Sequence, residues 1–420
     1  MIRPQIVLIL GSVWPEPQSS AAGVRMVTLI RLFLDQGWKV TYGSAAADSD
    51  HCADLEKLAV DKVKIELNNS AFDSYVRQLN PSIVVFDRFM VEEQFGWRVA
   101  EQCPDALRVL NTEDLHCLRR LRQKAFKESR QFEARDLLTS DVAKREVASI
   151  LRSDLSLIIS DHEIGLLRNL FGIDESLLHY LPFMESEIDD GVTESWPSYD
   201  DRQHFITIGN FLHEPNSDSV VFLKEEVWPL VRKSLPAAEL HIYGAYPIPR
   251  VMQLHNAKER FYIKGRANDV KEVMTKARVC LAPLRFGAGL KGKLLDSMLC
   301  GTPSVTTSIG AEAMHGNFDW NGLIADDAVK ISEAAVELYT NKTAWLTAQA
   351  NGIRIVNCCY RKEILAPKLL ERISLLQARL ELHRQDNFAG AMLMHHTMAS
   401  TKFMSRWIEA KNKQPKVEDD

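Results

Sequence analysis

Strand-sized apolar runs alternate with helix-sized amphipathic ones along most of this chain, and that rhythm restricts the fold more tightly than any other feature. The first half contains QIVLIL, WKVTY, SIVVFD, LRVLN and LSLIIS. Between them lie segments such as VRMVTLIRLFLDQG, in which Met26, Leu29, Ile30, Phe33 and Leu34 fall at i, i+3, i+4 spacing and Gly37 suits the C′ position of a helix. Strands joined by helical crossovers run parallel, which predicts a doubly wound sheet. A polar, acidic stretch with Pro197, SEIDDGVTESWPSYDDR from Ser186 to Arg202, interrupts the rhythm and reads as a linker. The alternation then resumes with HFITIG, AELHIYG, RFYIKG, RVCLAP, PSVTT and GLIAD. At 420 residues the chain exceeds what one core usually holds, so the reading is two α/β domains of similar size.

Composition narrows the function classes. Hydrophobic residues make up 46% and charged residues 25%, as in an ordinary globular protein, and the net charge of -5 gives no reason to expect a nucleic-acid partner. The seven cysteines form no C-x-x-C pair and no zinc-ligand spacing, so a reducing, cytoplasmic setting is expected. The apolar run IVLIL near the N-terminus is too short for a signal peptide or a bilayer span. Two segments fall outside the alternation. Residues 115–150 form a charged helical stretch whose Arg119 to Arg145 portion admits two readings, a solvated face of mixed charge or a surface for an anionic acceptor or a membrane. Residues 376–412 carry Phe388, Met392, Met394, Met398, Phe403 and Trp407 as an apolar helical surface, and QPKVEDD reads as a frayed tail.

Ligands of doubly wound sheets bind beyond the carboxyl ends of the strands, so the turns there are the candidates for chemistry. The first turn, GSVWPEPQSSAAGVRM, is long, with Gly23 before the helix and Arg25 in its first turn, and is not a G-x-G-x-x-G fingerprint. After LRVLN comes TEDLHCLRR, offering Asp114 and His116; the acids there also suit helix capping. The second domain contributes Gly209 and Asn210 after its first strand and Gly265-Arg266 after FYIK. The strongest clue is RFGAGLKGKLLD, from Arg285 to Asp296. Gly287 and Gly289 open the backbone, a helix is predicted to start near Leu290 or Lys291, and Arg285, Lys291 and Lys293 crowd positive charge at its positive dipole end. Such charge is unfavourable unless an anion answers it. Asp296, among Leu294, Leu295, Met298 and Leu299, needs a polar partner.

The stretch PLRFGAGLKGKLLDSMLCGTPSVTTSIGAEAM resembles the donor-binding segment of retaining GT-B glycosyltransferases of the group 1, family 4-like type. ITIGNFLHEPNSDSVVFLKEEVWPLV and LNTEDLHCLRRLRQKA resemble other segments of that family. The resemblance implies two Rossmann-like domains with parallel sheets facing a cleft. It places an acceptor domain at 1–190, a nucleotide-sugar donor domain at 200–380, and a helix at 381–412 packing back on the first domain. It further implies metal-independent transfer of a hexose from a nucleoside-diphosphate sugar to an unknown acceptor, with retention, and no cofactor. By position, Arg285 and Lys291 would meet the diphosphate and His116 the donor sugar. Gly209, Asn210, Gly265, Arg266, Gly287 and Gly289 would line the donor site, and Asp296 would hold the ribose. Gly23, Arg25 and Asp114 would approach the reacting centre. The pattern departs at Ala288, where many members carry a carboxylate, and at Asp296, where they carry Glu. A sugar-nucleotide epimerase on the same fold, or a non-catalytic nucleotide-sugar-binding partner, stays open at this level. A cytoplasmic protein that can sit at a membrane surface is expected, and oligomeric state is undetermined.

Overall fold

The computed structural model describes residues 5–413. In the first half, strands β1 (Ile6–Gly11), β2 (Lys39–Ser44), β3 (Asp61–Lys64), β4 (Ile83–Asp87), β5 (Leu107–Glu113), β6 (Leu155–Ile158) and β7 (Leu178–Tyr180) form one sheet. Their order is β3-β2-β1-β4-β5-β6-β7, and every pairing is parallel. In the second half, β8 (Gln203–Asn210), β9 (Leu240–Ala245), β10 (Phe261–Gly265), β11 (Ala277–Ala282), β12 (Ser304–Thr306) and β13 (Gly322–Ile324) form another, in the order β10-β9-β8-β11-β12-β13, again parallel. Helices cover both faces, so central strands such as β4 and β11 bury nearly every side chain and read as continuous apolar runs. This is the predicted α/β architecture. The sequence reading passed over β3 and β7: β3 is DKVK, an exposed edge strand, and β7 has three residues at the other edge.

The order of each sheet reverses once, between β1 and β4 and between β8 and β11. The carboxyl ends of the two sheets face each other across short interdomain contacts. Tyr246 after β9 donates to Glu16 Oε2 in the loop after β1 at 2.7 Å, and Arg266 after β10 donates to Gln18 Oε1 at 2.8 Å. The cleft between the domains therefore lies where the reversals put the loops of both sheets.

The return to the first domain begins earlier than position 381. Glu185 pairs in parallel with Arg361, its amide donating to Tyr360 O at 2.7 Å and its carbonyl accepting from Lys362 at 2.8 Å. The helix Lys362–Ala378 then adds Ala366, Leu369, Ile373 and Leu376 to the core of the first domain. The reason is its apolar spacing, which fits the surface beside the helix Ala21–Asp35 rather than the second core. The last helix, Phe388–Lys413, packs against the helices Phe89–Gln102 and Asp141–Arg152. Among the described residues, no helix is long and apolar enough to cross a membrane.

Candidate functional site

The loop after β11 is the centre of the cleft. Its helix spans Gly292–Leu299, so Lys291 stands at the N-cap position rather than inside the first turn. The chain reaches that position through Gly289, whose φ of +62° is left-handed. A Cβ on Gly289 would lie 2.8 Å from Asp114 Cβ, on the opposite domain. Gly287 has no neighbour closer than 3.9 Å to the same added atom. Gly289→Ala is therefore expected to lower stability by about 1–3 kcal/mol, from backbone strain and the contact with Asp114 together. Gly287→Ala is expected to leave the melting temperature nearly unchanged. Parallel thermal melts of the two variants check this; equal melts would refute it.

The two lysines of this loop carry the electrostatics. Lys291 is buried (8% exposed), and its Nζ donates to Gly289 O at 2.7 Å. Lys293 Nζ donates to Asn216 Oδ1 at 2.8 Å. Among the described residues, neither ammonium has a carboxylate oxygen within 4.0 Å. Burial pulls both lysines down to about 8. One buried and one half-buried cation without counter-ions are costly unless a ligand supplies the anion.

The opposite domain grips this loop. Glu163, fully buried on the helix Asp161–Asn169, accepts the Gly289 amide at 2.8 Å and the Leu115 amide at 3.1 Å. Burial, with help from Asp114, pushes its carboxyl up to about 8. Arg122 donates to Gly287 O at 3.0 Å and to both carboxylate oxygens of Glu312 at 2.7 Å. Neither contact was foreseen; each partner stands well over a hundred residues from the loop.

His116 opens the helix after β5. Its Nδ1 is buried with no hydrogen-bond partner among the described residues, and its Nε2 lies 3.8 Å from Asp114 Oδ1. Burial pulls the imidazole down to about 4, against the pull of Asp114, so it is neutral at pH 7. Asp114 is itself paired with Arg119 at 2.6 Å; burial raises its carboxyl, but Arg119 together with His116, His213 and Arg88 holds it below the ordinary value. Asp296 is half-buried, and its carboxyl meets no donor among the described residues; burial and nearby Glu185 raise it to about 7. Gly209 closes on Asn216, 2.7 Å from an added Cβ, while Asn210 accepts from Asn216 Nδ2 through its backbone carbonyl. Gly265 is left-handed with open space around it, beside Arg266.

Three expected site residues also make scaffold contacts. Arg25 is buried and donates to Asn111, to Glu113 Oε1 at 3.0 Å and to Leu181 O at 2.9 Å. Its charge is answered by Glu113 within the first domain. Gly23 lets the loop after β1 pack onto the helix start, where a Cβ would lie 2.3 Å from Glu16 O. Arg285 forms a two-pronged pair with Asp218 at 2.9 and 2.7 Å, between the rings of Phe126 and Phe222. Its charge is thus already answered, unlike that of Lys291 and Lys293. Sequence reasoning missed Arg88, which follows β4 at the first sheet's reversal point. Its φ of +77° is unusual for a long side chain, and its Nε is buried without a partner among the described residues. Nothing in VVFDRF marks that strain.

Two facing Rossmann-like sheets with a basic, glycine-opened loop at the second reversal point define a GT-B glycosyltransferase architecture. Residues 202–341, a third of the chain, match the family model described as glycosyl transferases group 1. Sucrose-phosphate synthase from Thermosynechococcus elongatus superposes with a TM-score of 0.65 at 16% identity, covering 89% of this chain and 99% of that one. HepE from Anabaena, solved with UDP and glucose, gives a TM-score of 0.65 at 12% identity over 88% of this chain and 99% of its own. WaaG, a glycosyltransferase involved in lipopolysaccharide biosynthesis, gives 0.59 at 14% identity over 87% and 99%. No curated protein sequence matches the chain.

Proposed function

We propose that the chain transfers a hexose from a nucleoside-diphosphate sugar to an acceptor, with retention and without a metal or cofactor. The observation that carries this is the pair Lys291 and Lys293, buried or half-buried at the reversal point of the second sheet with no carboxylate within 4.0 Å among the described residues. A diphosphate is the anion that fits two cations beside open glycines and a helix N-terminus. In this reading the lysines hold the diphosphate in the ground state. As the glycosidic bond breaks, they stabilise the charge that develops on the departing phosphate. Asp296 accepts from the ribose hydroxyls. His116, neutral near pH 7, hydrogen-bonds the sugar through the unpartnered Nδ1 and does not serve as a general acid. Retention without an enzymic nucleophile would follow from front-face attack, with the leaving phosphate taking the acceptor's proton. The UDP and glucose bound by HepE support a nucleotide-sugar donor, and seven unpaired cysteines support a cytoplasmic setting.

The test is incubation with UDP-, GDP- and dTDP-hexoses, with and without candidate acceptors, and with a chelator present. Release of the nucleoside diphosphate together with an α-linked product from an α-donor is expected. Interconversion of the sugar without nucleotide release would replace this reading with an epimerase. Saturable binding with no turnover across a broad acceptor panel would replace it with a binding partner.

A further inference from the structure

The helix Phe388–Lys413 is turned the wrong way for its composition. Several of its inward contacts are small and polar. Gly390 approaches Leu151 so closely that an added Cβ would lie 2.1 Å from the Leu151 carbonyl oxygen. At the helix start Asn387 Nδ2 donates to Leu151 O at 2.7 Å, and further along Ser405 Oγ accepts from Arg98 at 3.0 Å. The large apolar side chains point outward instead: Phe388 is 75% exposed, Phe403 64% and Trp407 60%, with Met392 exposed beside them. At 100° per residue these four fall within about 100° of one another, and at 1.5 Å per residue they run for about 28 Å. Met398 is also in this helix, but its side chain lies outside the described residues. Water-facing aromatic stripes of this length are rare on proteins that have no surface to bury them against.

Charge identifies the surface. No Asp or Glu occurs from Asn387 to Ile408, and the helix carries Lys402, Arg406, Lys411 and Lys413 against the single acid Glu409. His395 and His396 are exposed on the outer side. Lys402 and Arg406 reach Glu101 on the neighbouring helix, Lys413 pairs with Glu409 at 2.8 Å, and Lys411 lies 5.3 Å from the Trp407 ring. The other basic stretch, Arg119 to Arg145, interleaves Glu128, Glu133, Asp136 and Asp141 with its bases, and Arg130 pairs with Asp136, Lys144 with Asp141 and Arg145 with Glu93. That stretch is a solvated face of mixed charge. We infer that the outer face of the last helix docks on an anionic lipid surface. The helix lies in the headgroup plane, Phe388, Met392, Phe403 and Trp407 enter the acyl boundary, and Lys411, which pairs with no acid among the described residues, meets the headgroups beside Trp407.

The test is co-sedimentation of the full chain with vesicles of phosphatidylcholine alone and of phosphatidylcholine mixed with phosphatidylglycerol. The wild type is expected to bind the mixed vesicles and release at high salt. Phe403→Ser/Trp407→Ser is expected to bind them at least about tenfold more weakly, because insertion scales with apolar area. Both positions are exposed, so far-UV circular dichroism and the thermal melt of the variant should match the wild type. No binding to either vesicle overturns the inference, as does binding undiminished in the double variant. A dimer in light scattering that the double variant dissolves, without vesicle binding, would assign the stripe to a second copy of the chain and overturn it as well.

Discussion

Lys291→Met is expected to lower turnover with the correct nucleoside-diphosphate sugar by about 10²–10³-fold, the loss typical when one donor to a developing negative charge is removed. The same substitution is expected to leave the melting temperature of the free protein unchanged or raise it. Lys291 is buried, its ammonium has no carboxylate partner, and the bond to Gly289 O is its only side-chain hydrogen bond among the described residues. Replacing such a cation with an apolar side chain of similar length removes a desolvation penalty. The two readouts must diverge for the assignment to stand. A variant that loses stability and activity together would make Lys291 a structural cap; one that keeps near-normal turnover would remove it from the diphosphate site. Arg285 provides the contrast. Its pair with Asp218 and its place between Phe126 and Phe222 mean that Arg285→Ala should destabilise the loop as well as impair transfer.

Affinity for a nucleoside diphosphate is expected to fall as pH rises above about 8. Burial depresses both Lys291 and Lys293 from the ordinary 10.5 to about 8 in the free protein. Below that value both are charged and ready for the anion. Above it the free protein has released their protons, and binding must take them up again. Each lysine restored to its charged form by the ligand therefore makes affinity fall by about tenfold per pH unit, beginning near pH 8. The diphosphate itself is fully ionised throughout this range, since its last proton leaves near pH 6. Stability of the unliganded protein moves the other way. Between about 8 and 10.5 the unfolded chain holds protons that the native lysines have lost, so these two groups add stability as pH rises through that window. Calorimetric titration of UDP at pH 7 and pH 9, with melts of the free protein at the same values, reads both effects. An affinity that does not change between these values would mean that the lysines do not face the ligand.

Much of the fold was legible because parallel strands buried on both faces are continuous apolar runs. IVVFD and ARVCLA announce themselves wherever they occur. DKVK and LHY did not, because an edge strand has half its surroundings in water and no composition to mark it. The site divides along the same line. Gly289, Lys291 and Asp296 sit within one loop and one helix, where local backbone geometry and the helix dipole already constrain what a lysine can do. Arg25 and Arg285 looked equally available in sequence, yet each has a carboxylate waiting elsewhere in the chain, on Glu113 and Asp218.

The sequence by itself therefore determined the doubly wound architecture and a loop whose glycines and lysines call for an anion, because both are short-range properties of hydrophobic period, helix polarity and backbone freedom. Tertiary structure decided which cations remain unanswered. It brought Glu163 and Arg122 across the cleft onto the Gly287–Gly289 backbone, strained Arg88 at the first reversal point, and turned the aromatic face of the last helix outward. Each of these depends on which groups distant in the chain come within a few ångströms, and no local pattern encodes that distance.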